Sequence, residues 1–203
     1  MALMSAIYNL GSVILQSSIN ALGSVYIAAQ VGGRKLAELF YVPGIALGTS
    51  AATFSSQNYG AGKHSRIAKG AKSGIFMYFC WWLVALAFVI FLAPAAVRFI
   101  TGSSNPEVIA NGALYLRIGI PMIPPMAVLV ILRNILQGMR RPGMPLFCSC
   151  LELIGKVIFA LWLVPAFGYL AVCICEPVTW VICCVVIAVA VFAIRGEFTD
   201  RHI

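Results

Sequence analysis

The residues of this chain best suited to chemistry are charged side chains set inside apolar sequence. Glu152 and Lys156 stand four apart with the acid first, the order that favours an ion pair along one helix face. Such a pair reads either as a structural lock or as a proton or ion relay. Arg34, Lys35 and Glu38 offer pairing at three or four residues, so this trio is either an internal pair walling a cavity or a structural pair snorkelling near an interface. Arg117, Arg133 and Asn134 share another apolar segment, and Glu176 precedes Pro177 in a further one. Asn9, Gln16 and Asn20 recur at spacings of seven and four, which puts three amides on one helical face. That stripe fits hydrogen bonding between helices or the lining of a cavity.

These residues do not assemble into an enzyme. There is no Ser/His/Asp arrangement, no His pair at metal spacing and no nucleotide-binding loop, so no catalytic residue is assigned. The seven cysteines lie within or at the ends of apolar stretches and read as small packing residues rather than metal ligands. Hydrophobic residues make up 62% of the 203, charged ones 10%, and mean hydropathy is +0.97. A soluble domain carries roughly 25% charged side chains, so this composition describes an integral membrane protein, whose partner is the bilayer. The net charge of +8 would suggest a polyanion in a soluble chain. Here the basic residues gather in short turns between apolar spans, a topological signal rather than a nucleic-acid footprint.

Six spans must position the polar residues: about 3–22, 25–56, 74–97, 107–137, 144–164 and 170–194. The sequence therefore predicts an all-α membrane protein with one six-helix lobe over residues 1–203. The second span is interrupted by Pro43 and Gly44, the fourth by Pro121, Pro124 and Pro125, and these are the hinge or kink candidates. The third, rich in Phe and Trp and without charge, reads as lipid-facing. Between the second and third spans, Gly60 and Gly62 permit a reversal, after which Lys63 to Lys72 reads as a short basic surface helix.

Basic residues also orient the chain. Lys63, Arg66, Lys69, Lys72, Arg140, Arg141, Arg195 and Arg201 fall on one side, against Arg98 alone on the other. By the positive-inside rule both termini and the Gln57 to Lys72 turn are cytoplasmic, in a multi-pass protein of the plasma or inner membrane.

With these spans in place, four stretches carry a family resemblance: PGIALGTSAATFSSQNYGAGK from Pro43, LYLRIGIP from Leu114, LRNILQGMRRPGMP from Leu132 and LELIGKVIFALWLVPAFGYLAVCICEPVTW from Leu151. In their order they resemble the carboxy-terminal lobe of the MATE (multidrug and toxic compound extrusion) family. Gln57, Asn58, Tyr59, Gly60 and Gly62 match the family's turn between the second and third helices of a lobe. The resemblance implies a secondary antiporter of two six-helix lobes. It would export organic cations, drugs or other xenobiotics in exchange for protons or sodium by alternating access, with no cofactor beyond the coupling ion.

The chain also departs from that pattern. The family's full length is about twice this one, and the amino-terminal lobe has no counterpart here. Members with a sodium site in this lobe carry acids on its first and fourth helices, where this chain has amides and arginines, so no residue is assigned to the coupling ion. The resemblance leaves a half-length transporter that needs a second lobe, supplied by a separate chain or by a homodimer. The alternatives are a lipid-linked saccharide flippase of the same superfamily and a non-transporting membrane packing module.

Overall fold

In the computed structural model, which describes residues 2–194, the chain forms six helices: α1 Ala2–Leu22, α2 Ser24–Gly60, α3 His64–Thr101, α4 Pro106–Gly138, α5 Gly143–Phe167 and α6 Tyr169–Ala193. Left-handed backbone marks each break: Gly23 (φ 111°), Gly62 (φ 70°), Gly102 (φ 62°), Arg140 (φ 61°) and Gly168 (φ 61°). Among the described residues Arg140 alone occupies that region with a side chain, a conformation that L-residues other than Asn and Asp seldom adopt. The start of α4 is fixed by Pro106 in its first turn and by Asn105, whose side chain accepts from the Glu107 N–H at 2.9 Å.

Four of the helices, α3 to α6, are long and apolar enough to cross a membrane among the described residues. The amides of α1 and the charged, Gly/Ser/Thr-rich sequence of α2 set those two apart. On α3 the side chains of Phe76, Phe91 and Phe99 are largely exposed, as a lipid-facing helix requires.

Three features differ from the sequence expectation. Residues 64–72 are the first turns of α3, not a separate surface helix, because no glycine in the left-handed region or proline interrupts the chain there. α2 runs unbroken through Pro43. Gly44 serves a neighbour instead, since a Cβ there would overlap the ring of the fully buried Tyr78. α4 does change character at its prolines, through a 3₁₀ turn at Ile120–Met122, and α5 widens to a π turn at Phe159–Leu163 that the sequence did not announce.

α2 is central, packed on α3 and on both halves of α4; α1 docks on α5, and α6 closes against α4 and α5. Small residues allow the α2–α4 approach. A Cβ on Gly112 would lie 3.3 Å from the Ala29 carbonyl, and one on Gly138 would strike the Ala52 carbonyl. Arg195 and Arg201, part of the charge count above, lie outside the described residues.

Candidate functional site

The polar residues converge on a cavity of about 510 Å³ within the bundle. α2 lines it with Arg34, Glu38, Tyr41, Val42 and Ile45, one helical face at spacings of three and four. α4 adds Tyr115 from its first half and Met126, Leu129, Val130 and Arg133 from its second. Tyr8 of α1, Glu152 of α5 and Glu176 and Trp180 of α6 complete it. A second cavity of about 550 Å³ shares Tyr8, Val130 and Arg133 and is also lined by Asn9, Asn134 and Gln137.

The charges are organised in pairs. Arg34 meets Glu38 at 3.4 Å, one turn apart on α2. With Glu38 60% exposed, this pair contributes only a fraction of about 1 kcal/mol to stability. The Arg133 guanidinium donates to both carboxylate oxygens of Glu152 at 3.3 Å, and also to the Pro145 carbonyl and to Ser149 Oγ. This tie joins α4 to α5 across the bundle, and its Glu152 side is buried.

The expected Glu152–Lys156 pair is not formed. Nη1 of Arg133 meets both Glu152 oxygens while its Nη2 is held by Pro145 and Ser149, and Lys156 is turned to α1 instead. There its ammonium donates to Ser12 Oγ at 2.9 Å and lies 3.6 Å from the centroid of the Tyr8 ring, a cation–π contact in a site where the lysine is only 2% exposed. Glu176 accepts from the Tyr115 hydroxyl at 3.2 Å, and no cationic nitrogen lies within 4.0 Å of it among the described residues. Aromatic groups crowd the same wall, with Tyr41 edge-on to Trp180 at 5.7 Å between centroids.

The remaining candidates fall elsewhere. Gln16 donates to Asn20 at 3.0 Å along α1, and neither lines the two cavities. Lys35 and Arg117 are exposed and line neither. Of the proline candidates, Pro121 sits in the 3₁₀ turn and Pro124 and Pro125 follow it, above the cavity-lining half of α4. The Gln57–Gly62 motif forms the α2–α3 reversal: Asn58 donates to the Phe54 carbonyl at 2.8 Å, its own carbonyl accepts from the Lys63 N–H at 2.9 Å, and Tyr59 meets His64 edge-on. Gly62, not Gly60, supplies the left-handed residue.

Tyr8, Tyr41, Tyr115, Ser149 and Trp180 were not singled out from sequence, and Ser12 was legible only as a neighbour of the Asn9, Gln16 and Asn20 face. One signal was available. Tyr41 continues the Arg34–Glu38 face by three residues, and Trp180 follows Glu176 by four.

A family model described as MatE matches residues 1–162. No curated protein matches the chain. Among solved structures, the chain is similar to MATE in complex with MaD3S, at 19% identity and TM-score 0.72 over 98% of this chain and 45% of that one. It is likewise similar to an outward-facing multidrug resistance MATE family transporter of the MOP superfamily, at 16% identity and TM-score 0.73 over 100% of this chain and 45% of that one. A third is a MOP superfamily transporter from Pyrococcus furiosus Vc1 (DSM3638), described as having a binding pocket of reversed polarity, at 17% identity and TM-score 0.68 over 98% and 44%. Identities this low speak to the fold alone. The chain spans about 45% of the length of the first of these transporters.

Proposed function

Because this chain belongs to the MatE family, we propose that it is one lobe of a secondary active transporter that exports organic cations in exchange for protons or sodium and works with a second six-helix lobe. The observation that carries this reading is the cavity of about 510 Å³, in which five charged side chains from four helices meet inside a multi-pass membrane bundle. Ionisable groups at that depth are expensive in a bundle that serves only packing, and they mark substrate or ion pathways. The second lobe is a separate chain or another copy of this one, and both termini face the cytoplasm. The flippase alternative draws on cavity cations, but Arg34 and Arg133 are each paired with a glutamate of the same cavity.

The test is exchange in proteoliposomes. The chain is reconstituted alone and with a co-expressed partner lobe, and efflux of ethidium is followed under an imposed proton or sodium gradient. Cross-linking then distinguishes a homodimer from a heteromeric pair. Gradient-driven efflux in either preparation supports the proposal; none in both returns the chain to a packing role.

A further inference from the structure

We infer that the crevice between α2 and α3 beside the basic reversal binds one anionic phospholipid, with an acyl chain in the crevice and the phosphate against Arg66 and Lys69. This site stands whether or not the lobe exchanges cations.

The crevice encloses about 230 Å³ and shares no residue with either polar cavity. Leu47 and Phe54 of α2 wall one side, and Gly74 and Met77 of α3 the other, over a floor of the fully buried Ile67 and Ile135. Its mouth lies at the exposed Ser50, Ser73 and Met77. Small residues on α3 let the two helices close beside it: a Cβ on Gly70 would lie 2.6 Å from the Phe54 ring. The hydroxyls of Ser50 and Ser55 are turned back to the Ala46 and Ala51 carbonyls of their own helix. A hydrocarbon chain therefore enters without displacing a hydrogen bond, whereas a compact polar ligand finds no partner. The volume is below the roughly 300 Å³ at which small-molecule pockets begin. It is also too narrow for a helix of a partner chain, which is about 10 Å across.

Charge names the rest of the ligand. Arg66, Lys69, Ser73 and Met77 follow one another at three and four residues along one face of α3, so two cations stand in register with the crevice mouth. Both are exposed, and no carboxylate lies within 4.0 Å of them, or of Lys63 and Lys72, among the described residues. The chain has no acid between Glu38 and Glu107 that could serve them. Lys72 is the last charge before a run that stays uncharged to Val97, so the cations sit where α3 enters the hydrocarbon and the crevice descends from that level. A lipid phosphate there meets its counter-charges while its chain covers the apolar wall. The positive-inside rule accounts for basic residues in this turn, but it does not require them to stand over an apolar crevice.

The experiment follows lipid retained by the purified full chain in detergent, read by native mass spectrometry. Phosphatidylglycerol and phosphatidylcholine of the same chains are compared, with glycerol 3-phosphate as the headgroup alone. Wild type is expected to retain one phosphatidylglycerol about tenfold more tightly than phosphatidylcholine. R66Q/K69Q is expected to weaken phosphatidylglycerol about tenfold, and R98Q, at the other end of α3, to stay within about twofold. S73L fills the mouth without altering charge and is expected to weaken the lipid by a similar factor. Because a substitution also acts on the fold, a second measurement uses the unmodified protein. Phosphatidylglycerol with a diazirine on its acyl chain is expected to label residues within 47–54 or 70–77. Equal retention of the two lipids, undiminished binding by R66Q/K69Q or S73L, competition by glycerol 3-phosphate at the concentration of the lipid, or label confined to other segments would each overturn the site.

Discussion

The indole N–H of Trp82 on α3 donates to the carbonyl of Ile120 on α4 at 3.0 Å. In an unbroken α-helix that carbonyl would accept from residue 124, which is a proline and has no N–H. The 3₁₀ turn gives it the Ile123 N–H, and Trp82 adds a second donor from a neighbouring helix. α5 repeats the arrangement. Its π turn sends the Val164 N–H to Phe159, the next residue is Pro165, and the stranded Ala160 carbonyl accepts from Ser18 Oγ of α1 at 3.0 Å.

Trp82→Phe and Ser18→Ala keep most of the packing and remove these donors. Each is expected to lower stability by about 1 kcal/mol, the loss of one partly buried hydrogen bond in a bundle with little water to replace it. Thermal unfolding in detergent reads the effect, with Trp162→Phe, at an exposed position, as the control expected to stay unchanged.

The Arg133–Glu152 tie is expected to matter more when broken than when removed. Arg133→Met alone leaves Glu152 buried without its cation and is expected to cost roughly 3–5 kcal/mol. The double change Arg133→Met with Glu152→Leu should regain most of that. Chemical unfolding of the two single variants and the double gives the coupling energy, and additive losses would contradict the pairing.

Helix approach is tested at Gly138. A Cβ there meets the Ala52 carbonyl and the Ser55 hydroxyl, and backbone cannot step aside as a side-chain tip can. Gly138→Ala is expected to destabilise by about 1–3 kcal/mol. Gly143→Ala, where nothing lies within 4 Å, should be neutral or slightly stabilising in the same melting assay.

Orientation is tested at Lys69, exposed in the first turns of α3, and at Ser104 in the α3–α4 turn. In a background freed of native cysteines, Lys69→Cys should resist an impermeant maleimide on intact cells and Ser104→Cys should react. The reverse pattern would falsify the cytoplasmic assignment of the basic turn.

Composition, span lengths and the glycine turns made six helices legible in the sequence, because each follows from a local property of the chain. Pairing was legible only in part. The Arg34–Glu38 pair lies within one helix, and its spacing offered it beside Lys35–Glu38 without choosing between them. Glu152 had two candidate cations, and helical spacing named Lys156 because it could not know that α4 brings Arg133 across. The same limit applies to Gly44, whose meaning depends on Tyr78 arriving from α3. Proline positions announced a disturbance in α4 but not its form, since the 3₁₀ turn depends on which neighbours can serve the stranded carbonyls. The π turn of α5 lies in a run of apolar residues with no periodic signature at all.

The continuity of α2 and α3 has a mechanical consequence. At 37 and 38 residues each has a contour of about 55 Å, nearly twice the thickness of a hydrocarbon core, with one interior proline, Pro43 or Pro94. Both are free of the helix-type changes found in α4 and α5, and they join at the basic reversal around Gly62. A tilt of about 5° sweeps the far end of such a helix through about 5 Å. The reversal and the α3–α4 turn are thus the two ends of α3, 38 residues apart along a single helix.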